Sequence, residues 1–280
     1  MRFAKLKPLL LAVLCLGISL PAQGNSTLDY LRENRVLKVG IRDDAIPFGY
    51  RSNQGNLTGM CIDFIAILRQ KILAEIGQDT LTIRLIESSL SNRFRLVEEQ
   101  VVHLECGPNT IREDTGFKIT FSEAFFVSGT QFLLKTSQRT NINLNSDLAN
   151  VSLGVLQSSA NETYLRETYP EANLFVFQGN TGRTRGVQAV ARGNIDAMVS
   201  DGILLLGEGI VLGFDFNQTY TLLPNNPLTC DYYGMILPEN DLEWRELVNE
   251  AIAEFNTTQY QWLTEIRDHL NYIQKHCQSR

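Results

Sequence analysis

Histidine is scarce in this chain, three in 280 residues, and His103, His269 and His276 show no metal-ligand spacing. There is no Cys-x-x-Cys pair, so a metal site has no support in the sequence and no cofactor is expected. A Gly-x-Ser-x-Gly elbow, a phosphate-binding P-loop and a His-Glu-x-x-His helix are also missing. Their absence removes the commonest hydrolase, nucleotide-binding and metalloprotease readings. No basic stripe interrupts a formal charge of −6, which makes the chain a poor partner for nucleic acid. An anionic ligand would need a local basic pocket, because the overall field repels it. Internal repeats and low-complexity segments are lacking.

What is present begins with a processing signal. Arg2, Lys5 and Lys7 precede an apolar run over 9–20, and Ala22-Gln23-Gly24 offers a small-x-small cleavage site. This pattern is a secretory signal peptide over 1–24, with the mature chain expected from Asn25 and a periplasmic location. The run is short for a bilayer span. Cys15 is a poor lipidation site because bulky Leu14 precedes it. Loss of Arg2, Lys5 and Lys7, with no acid, takes the charge from −6 to −9. Of five cysteines, Cys61, Cys106, Cys230 and Cys277 would remain. An even count in an exported protein points to two disulfides, with three pairings open.

Two series of alternating strands and helices follow. In the first, Val36–Ile41 is a strand, Met60–Ile76 a helix stopping at Gly77, 81–86 a strand, 93–99 a short helix and 101–104 a strand. In the second, 151–156 is a strand and Ser159 to Glu162 forms a capping box at a helix start. Then come a strand over 174–177, a helix over 186–192 and a strand over 195–199 that runs into Asp201. Amphipathic helices are expected over 241–255 and 260–273. This alternation is an α/β pattern with crossover helices.

The densest cluster of chemistry lies in ECGPNTIREDTGFKITFSEAFFVSGTQFLL, residues 105–134. A small polar loop, Asn109-Thr110, leads to Arg112, then to Phe121-Ser122 and the pair Phe125-Phe126. A guanidinium fork matches a carboxylate bidentately. GIRDDAIPFGY, 40–50, adds Arg42, and RGNIDAMVSDGILLL, 192–206, adds Asp201. Their plain alternatives are a salt bridge between Arg42 and Asp43 or Asp44, core packing for Phe48 and Tyr50, and a helix N-cap for Asp201.

Taken together these segments resemble the bacterial extracellular solute-binding proteins that serve polar amino-acid ABC importers, across roughly 36–263. The Gly-x-Arg-acid and Pro-Phe-small-Tyr forms, and Glu-Cys-Gly at 105–107, are similar to the glutamate/aspartate branch. The resemblance implies an α/β, two-lobed periplasmic-binding-protein fold of type II with two crossing hinge strands, Thr130–Lys135 and 232–237 being the candidates. Lobe 1 would comprise 25–130 and 232–280, and lobe 2 would comprise 131–231. It further implies that Arg112 clamps the ligand α-carboxylate, helped by Asn109, Thr110, Ser158 and Ser159 at a helix N-terminus. Asp201 would take the ammonium. Arg42 and, less directly, Arg183 would read a side-chain carboxylate, with Phe48 and Tyr50 as an apolar wall.

A bridge like one in the related cores of ionotropic glutamate receptors implies Cys230–Cys277, leaving Cys61–Cys106. The expected partners are an amino acid and a membrane permease, the expected state a monomer, and no enzymatic activity is expected. A cyclohexadienyl-dehydratase-like enzyme and a sensor module are the alternatives.

Overall fold

The structure is a computed structural model and describes residues 26–52, 54–216, 218–255, 273 and 275–277. The signal peptide and nearly all of the helix expected over 260–273 lie outside the described residues.

Two five-stranded sheets form the frame. In the first the order is Thr82–Glu87, Val36–Ile41, Leu104–Cys106, Ile236–Pro238, Ile119–Phe121. Val36–Ile41 runs parallel to the two strands beside it, and Ile236–Pro238 is antiparallel to both of its neighbours. In the second sheet the order is Asn173–Phe177, Ser152–Leu156, Ala197–Asp201, Thr130–Lys135, Tyr220–Leu223. Ser152–Leu156 is parallel to both neighbours, and Thr130–Lys135 is antiparallel to both of its own. With relatives of known structure, reported below, this is the two-lobed type II arrangement.

Helices cover the sheets because each carries one apolar stripe. Met60–Ile76 buries Cys61, Phe64, Ile65, Leu68, Ile72 and Ile76, the spacing of one helix face. Full burial of Phe64, Leu68 and Ile72 contributes about 1.5–3 kcal/mol each. The helix ends where Gly77 turns left-handed at φ 63° and donates its N–H to the Leu73 carbonyl. Leu242–Phe255 packs Trp244, Val248, Ala251, Ile252 and Phe255 into the same core.

The crossing between the sheets is a two-stranded ladder, Phe126–Ser128 against Asp231–Tyr233. The expected outgoing strand, Thr130–Lys135, lies a few residues further on, inside the second sheet. Its apolarity comes from central burial there, with five of its six residues buried, rather than from spanning the gap. The strand expected over 101–104 is likewise displaced, to Leu104–Cys106. Val102 is apolar because it packs under the short helix Arg93–Glu98 with Phe94 and Val97.

Two disulfides close in this structure, Cys61–Cys106 and Cys230–Cys277. The first ties the start of the Met60–Ile76 helix to the end of a central strand.

Candidate functional site

Both sheets direct the C-terminal ends of their parallel strands at one cleft, the usual position for a ligand in open α/β folds. A pocket lined from both sheets lies there. The first sheet's side contributes Arg42, Leu90, Arg93, Pro108, Thr110 and Arg112. The second contributes Ser159, Ala160, Asn161, Arg183, Ser200, Asp201 and Leu204. Arg42, Thr110, Arg112, Ser159, Arg183 and Asp201 are thus brought together from five separate segments of the sequence.

Arg42 follows directly on the Val36–Ile41 strand and is 1% exposed. It grips Asp44 bidentately, Nε to Oδ1 at 2.7 Å and Nη2 to Oδ2 at 2.8 Å. The expected alternative, an ion pair with Asp44, is therefore present, but buried and inside the pocket wall. Burial pushes Asp44 up, yet the charge and hydrogen bonds of Arg42, with the charge of Arg183, outweigh it and hold Asp44 below its ordinary range. Arg183 reaches across the cleft and donates from Nη1 to the Asp44 carbonyl at 2.5 Å. It is 2% exposed, because its helix begins at Gly182 rather than at the expected Gly186 and points it inward.

Arg93 was not expected here. It opens the Arg93–Glu98 helix, is 5% exposed, donates to the Leu90 carbonyl and lies over the Phe94 ring. Burial first, then the charges of Arg42 and Arg112, push it down to about 9, still cationic at neutral pH. Arg112 shares the Phe94 ring, 5.3 Å from its centroid. The Nε atoms of Arg93, Arg112 and Arg183 are buried and make no hydrogen bond. Burial pushes up the carboxyls of Glu105 and Glu208, against the pull of Arg93 and Arg183 respectively. Of the charged side chains lining the pocket, four are arginines and one is Asp201.

Asp201 ends the Ala197–Asp201 strand. It holds the N-cap position of the Gly202–Val211 helix, yet its side chain makes no capping bond. Instead Oδ1 accepts from Asn161 Nδ2 at 2.8 Å, and Oδ2 accepts from the Tyr233 hydroxyl. A Cβ on Gly202 would lie 1.8 Å from Gln131 Oε1, so a larger residue there would have to displace the Gln131 side chain. The Ser159 hydroxyl accepts from the Glu162 N–H at 3.1 Å and donates to the Leu156 carbonyl at 2.7 Å, so it serves its own helix. The first turn of that helix, Ala160 and Asn161, presents a favourable end for an anion.

Four expected residues stand outside this pocket. Asn109 is buried and gives its amide to Glu105 at 2.6 Å, in company with Ser88. Phe48 is a core residue, edge-on to Phe125, Phe126 and Tyr233. Tyr50 pairs with Asp44 and Thr58 in a small three-stranded sheet. Ser158 donates its backbone N–H to Glu162 and lines a neighbouring cleft with Ser89, Ser91 and Asn180. Asn109, Tyr50 and Ser158 are taken by partners within a few residues in the sequence, and Phe48 by rings far along it.

No histidine lines the pocket, and among the described residues no cluster of His, Cys, Asp or Glu could hold a metal ion. No described helix is long and apolar enough to cross a membrane.

The family model of bacterial extracellular solute-binding proteins, family 3, matches residues 37–266. The chain belongs to that family. A glutamate/aspartate import solute-binding protein of Salmonella typhimurium is 27% identical over 91% of this chain and 85% of its own length. The protein of the same description from Escherichia coli is 26% identical over 85% and 77%. Among solved structures, an ancestral amino acid-binding protein described as a precursor of cyclohexadienyl dehydratase superposes with a TM-score of 0.69. It is 20% identical, over 82% of this chain and 93% of that one, and shows the shared fold of this family member.

Proposed function

We propose that this chain is the periplasmic binding component of an amino-acid ABC importer and that its ligand is an acidic L-amino acid, glutamate or aspartate. The observation that carries the reading is the set of three guanidiniums, Arg93 and Arg183 buried and Arg112 half-buried, whose buried Nε atoms make no hydrogen bond and share one pocket with Asp201. A ligand with two carboxylates and one ammonium supplies a partner to each kind of group. Buried charges left without partners are costly, so the site favours a ligand of that charge pattern over a cation.

Arg112 and the first turn of the 160–168 helix take the α-carboxylate, and Asp201 takes the ammonium. Arg93 and Arg183 take the side-chain carboxylate, with Arg42 anchored behind them by Asp44. Closure follows from differential affinity for the closed form, and a membrane permease reads that form. The similarity to glutamate/aspartate import proteins supports the same ligand class.

Calorimetric titration of refolded, ligand-stripped protein against an amino-acid panel tests this. Glutamate or aspartate should bind and raise Tm by mass action, and lysine and arginine should not. A larger Tm shift with lysine than with glutamate sinks the acidic reading. Turnover of prephenate or arogenate would replace it with the dehydratase reading.

A further inference from the structure

The return segment of the crossing ladder touches both halves of the ligand clamp. Its backbone pairs with the loop that carries Arg112: the Ile111 N–H donates to the Tyr232 carbonyl at 2.8 Å, and the Gly234 N–H to the Asn109 carbonyl at 3.0 Å. Thr110 and Tyr233 face each other in that bridge. The side chain of Tyr233 goes the other way, across the cleft, and its hydroxyl donates to Asp201 Oδ2. The ring is fully buried, stacked on Phe126 at 5.9 Å and edge-on to Phe48 at 5.4 Å, so it has no freedom to swing. Burial, then the charge and hydrogen bond of Asp201, keep the phenol protonated and therefore a donor. Asn161 fixes the other oxygen of Asp201. A carboxylate has about four acceptor positions, so these two bonds leave others for an ammonium.

We infer that Tyr233 is a positioning residue that sets the spacing between Arg112 and Asp201, and so selects α-amino acids over isomers whose ammonium and carboxylate lie further apart. The inference rests on the acidic amino-acid reading of the same pocket. Tyr233 itself need not touch the ligand. It holds Asp201 at a fixed reach from the loop on which Arg112 sits.

The test is Tyr233→Phe, which keeps the packed ring and removes only the hydroxyl. Calorimetry with L-glutamate, L-glutamine and β-glutamate (3-aminopentanedioate) would be run on wild type and variant. The hydroxyl bonds a charged group, so L-glutamate and L-glutamine should each lose affinity by roughly tenfold or more. Their ratio should stay within about twofold on the same account, because the side-chain arginines are untouched. The preference for L-glutamate over β-glutamate should shrink, and the ligand-free Tm should fall by only the few degrees that one lost hydrogen bond costs. A purely structural role would lower all three affinities together. Equal affinities in wild type and variant, or an unchanged α-to-β preference, overturn the inference alone. Failure of wild type to bind L-glutamate overturns the ligand reading and this inference with it.

Discussion

The two five-stranded sheets are built to one plan and carry opposite chemistry. In each, a first strand lies between two parallel partners, and the sheet is completed by one antiparallel strand and an outer strand that again runs with the first three. After the first strand, one sheet places Arg42 and the other the Ser159-capped helix start. After the third, one places the loop to Arg112 and the other Asp201. The scaffold therefore sets where groups project, and the residues just past the strand ends decide what is bound. The first wall is cationic throughout. The second mixes a carboxylate, a helix N-terminus and one inward arginine.

The most severe way to break this pairing is to remove one clamp from each wall. Arg112→Ala and Asp201→Ala should each cost about 2–5 kcal/mol of binding for any amino acid, measured by calorimetry with glutamate and glutamine. If either variant loses only glutamate, the division between backbone and side-chain recognition is wrong.

The disulfides sharpen the comparison on the stability side. Their separations, 45 and 47 positions, are nearly equal, so chain entropy assigns each about 3–4 kcal/mol. Paired serine replacements should lower Tm alike. Loss of Cys61–Cys106 alone should also weaken binding, because that bridge anchors the strand leading to the Arg112 loop. Equal binding by both variants would detach the loop from its anchor.

A smaller, selective effect is expected from Arg93→Met. It should weaken glutamate by about 1.5–3 kcal/mol, the range for hydrogen bonds to charged groups, and leave glutamine nearly untouched. A uniform loss in titrations of both would place Arg93 with the α-carboxylate instead.

The last effect is on stability rather than binding and concerns Asp231, on the crossing ladder itself. Burial, then the charge of Asp201, push it up to about 7 from an ordinary 3.8, despite the Thr229 hydroxyl. The folded form therefore binds the proton more tightly than the unfolded one. Its stabilising contribution is complete below about pH 4 and is lost as pH rises through 7, by at most about 1.4 kcal/mol per pH unit. Asp231→Asn should flatten that slope in denaturant titrations between pH 5 and 8. An unchanged slope would assign the pH dependence elsewhere.

Arg112, Asp201 and the strand-helix alternation were legible because motif order and periodicity are properties of the chain itself. Arg93 was not, since a single arginine before Phe94 reads as a solvated helix start. A signal was nonetheless there. Arg93 and Arg183 both sit at helix N-termini, the end the macrodipole makes unfavourable for a cation. Charges placed against the dipole, near a cleft, ask for an anion to hold them. Asn109 and Phe48 show the reverse case. Their types suit a ligand, but Glu105, four residues before Asn109, and the Phe125, Phe126 and Tyr233 rings, far from Phe48 in the sequence, have already taken them. The crossing ladder was misplaced by a few residues because apolarity marks burial and cannot tell a central strand from a spanning one.

The hydrogen bond from Arg183 to the Asp44 carbonyl, with that from Asn180 to Glu87 at 2.7 Å, joins the two walls using protein atoms alone. Part of what draws the two walls together is therefore contributed by the chain itself. Whatever binds between them has only the remainder to supply, so loss of the Asn180–Glu87 bond should lower apparent affinity although neither residue lines the pocket.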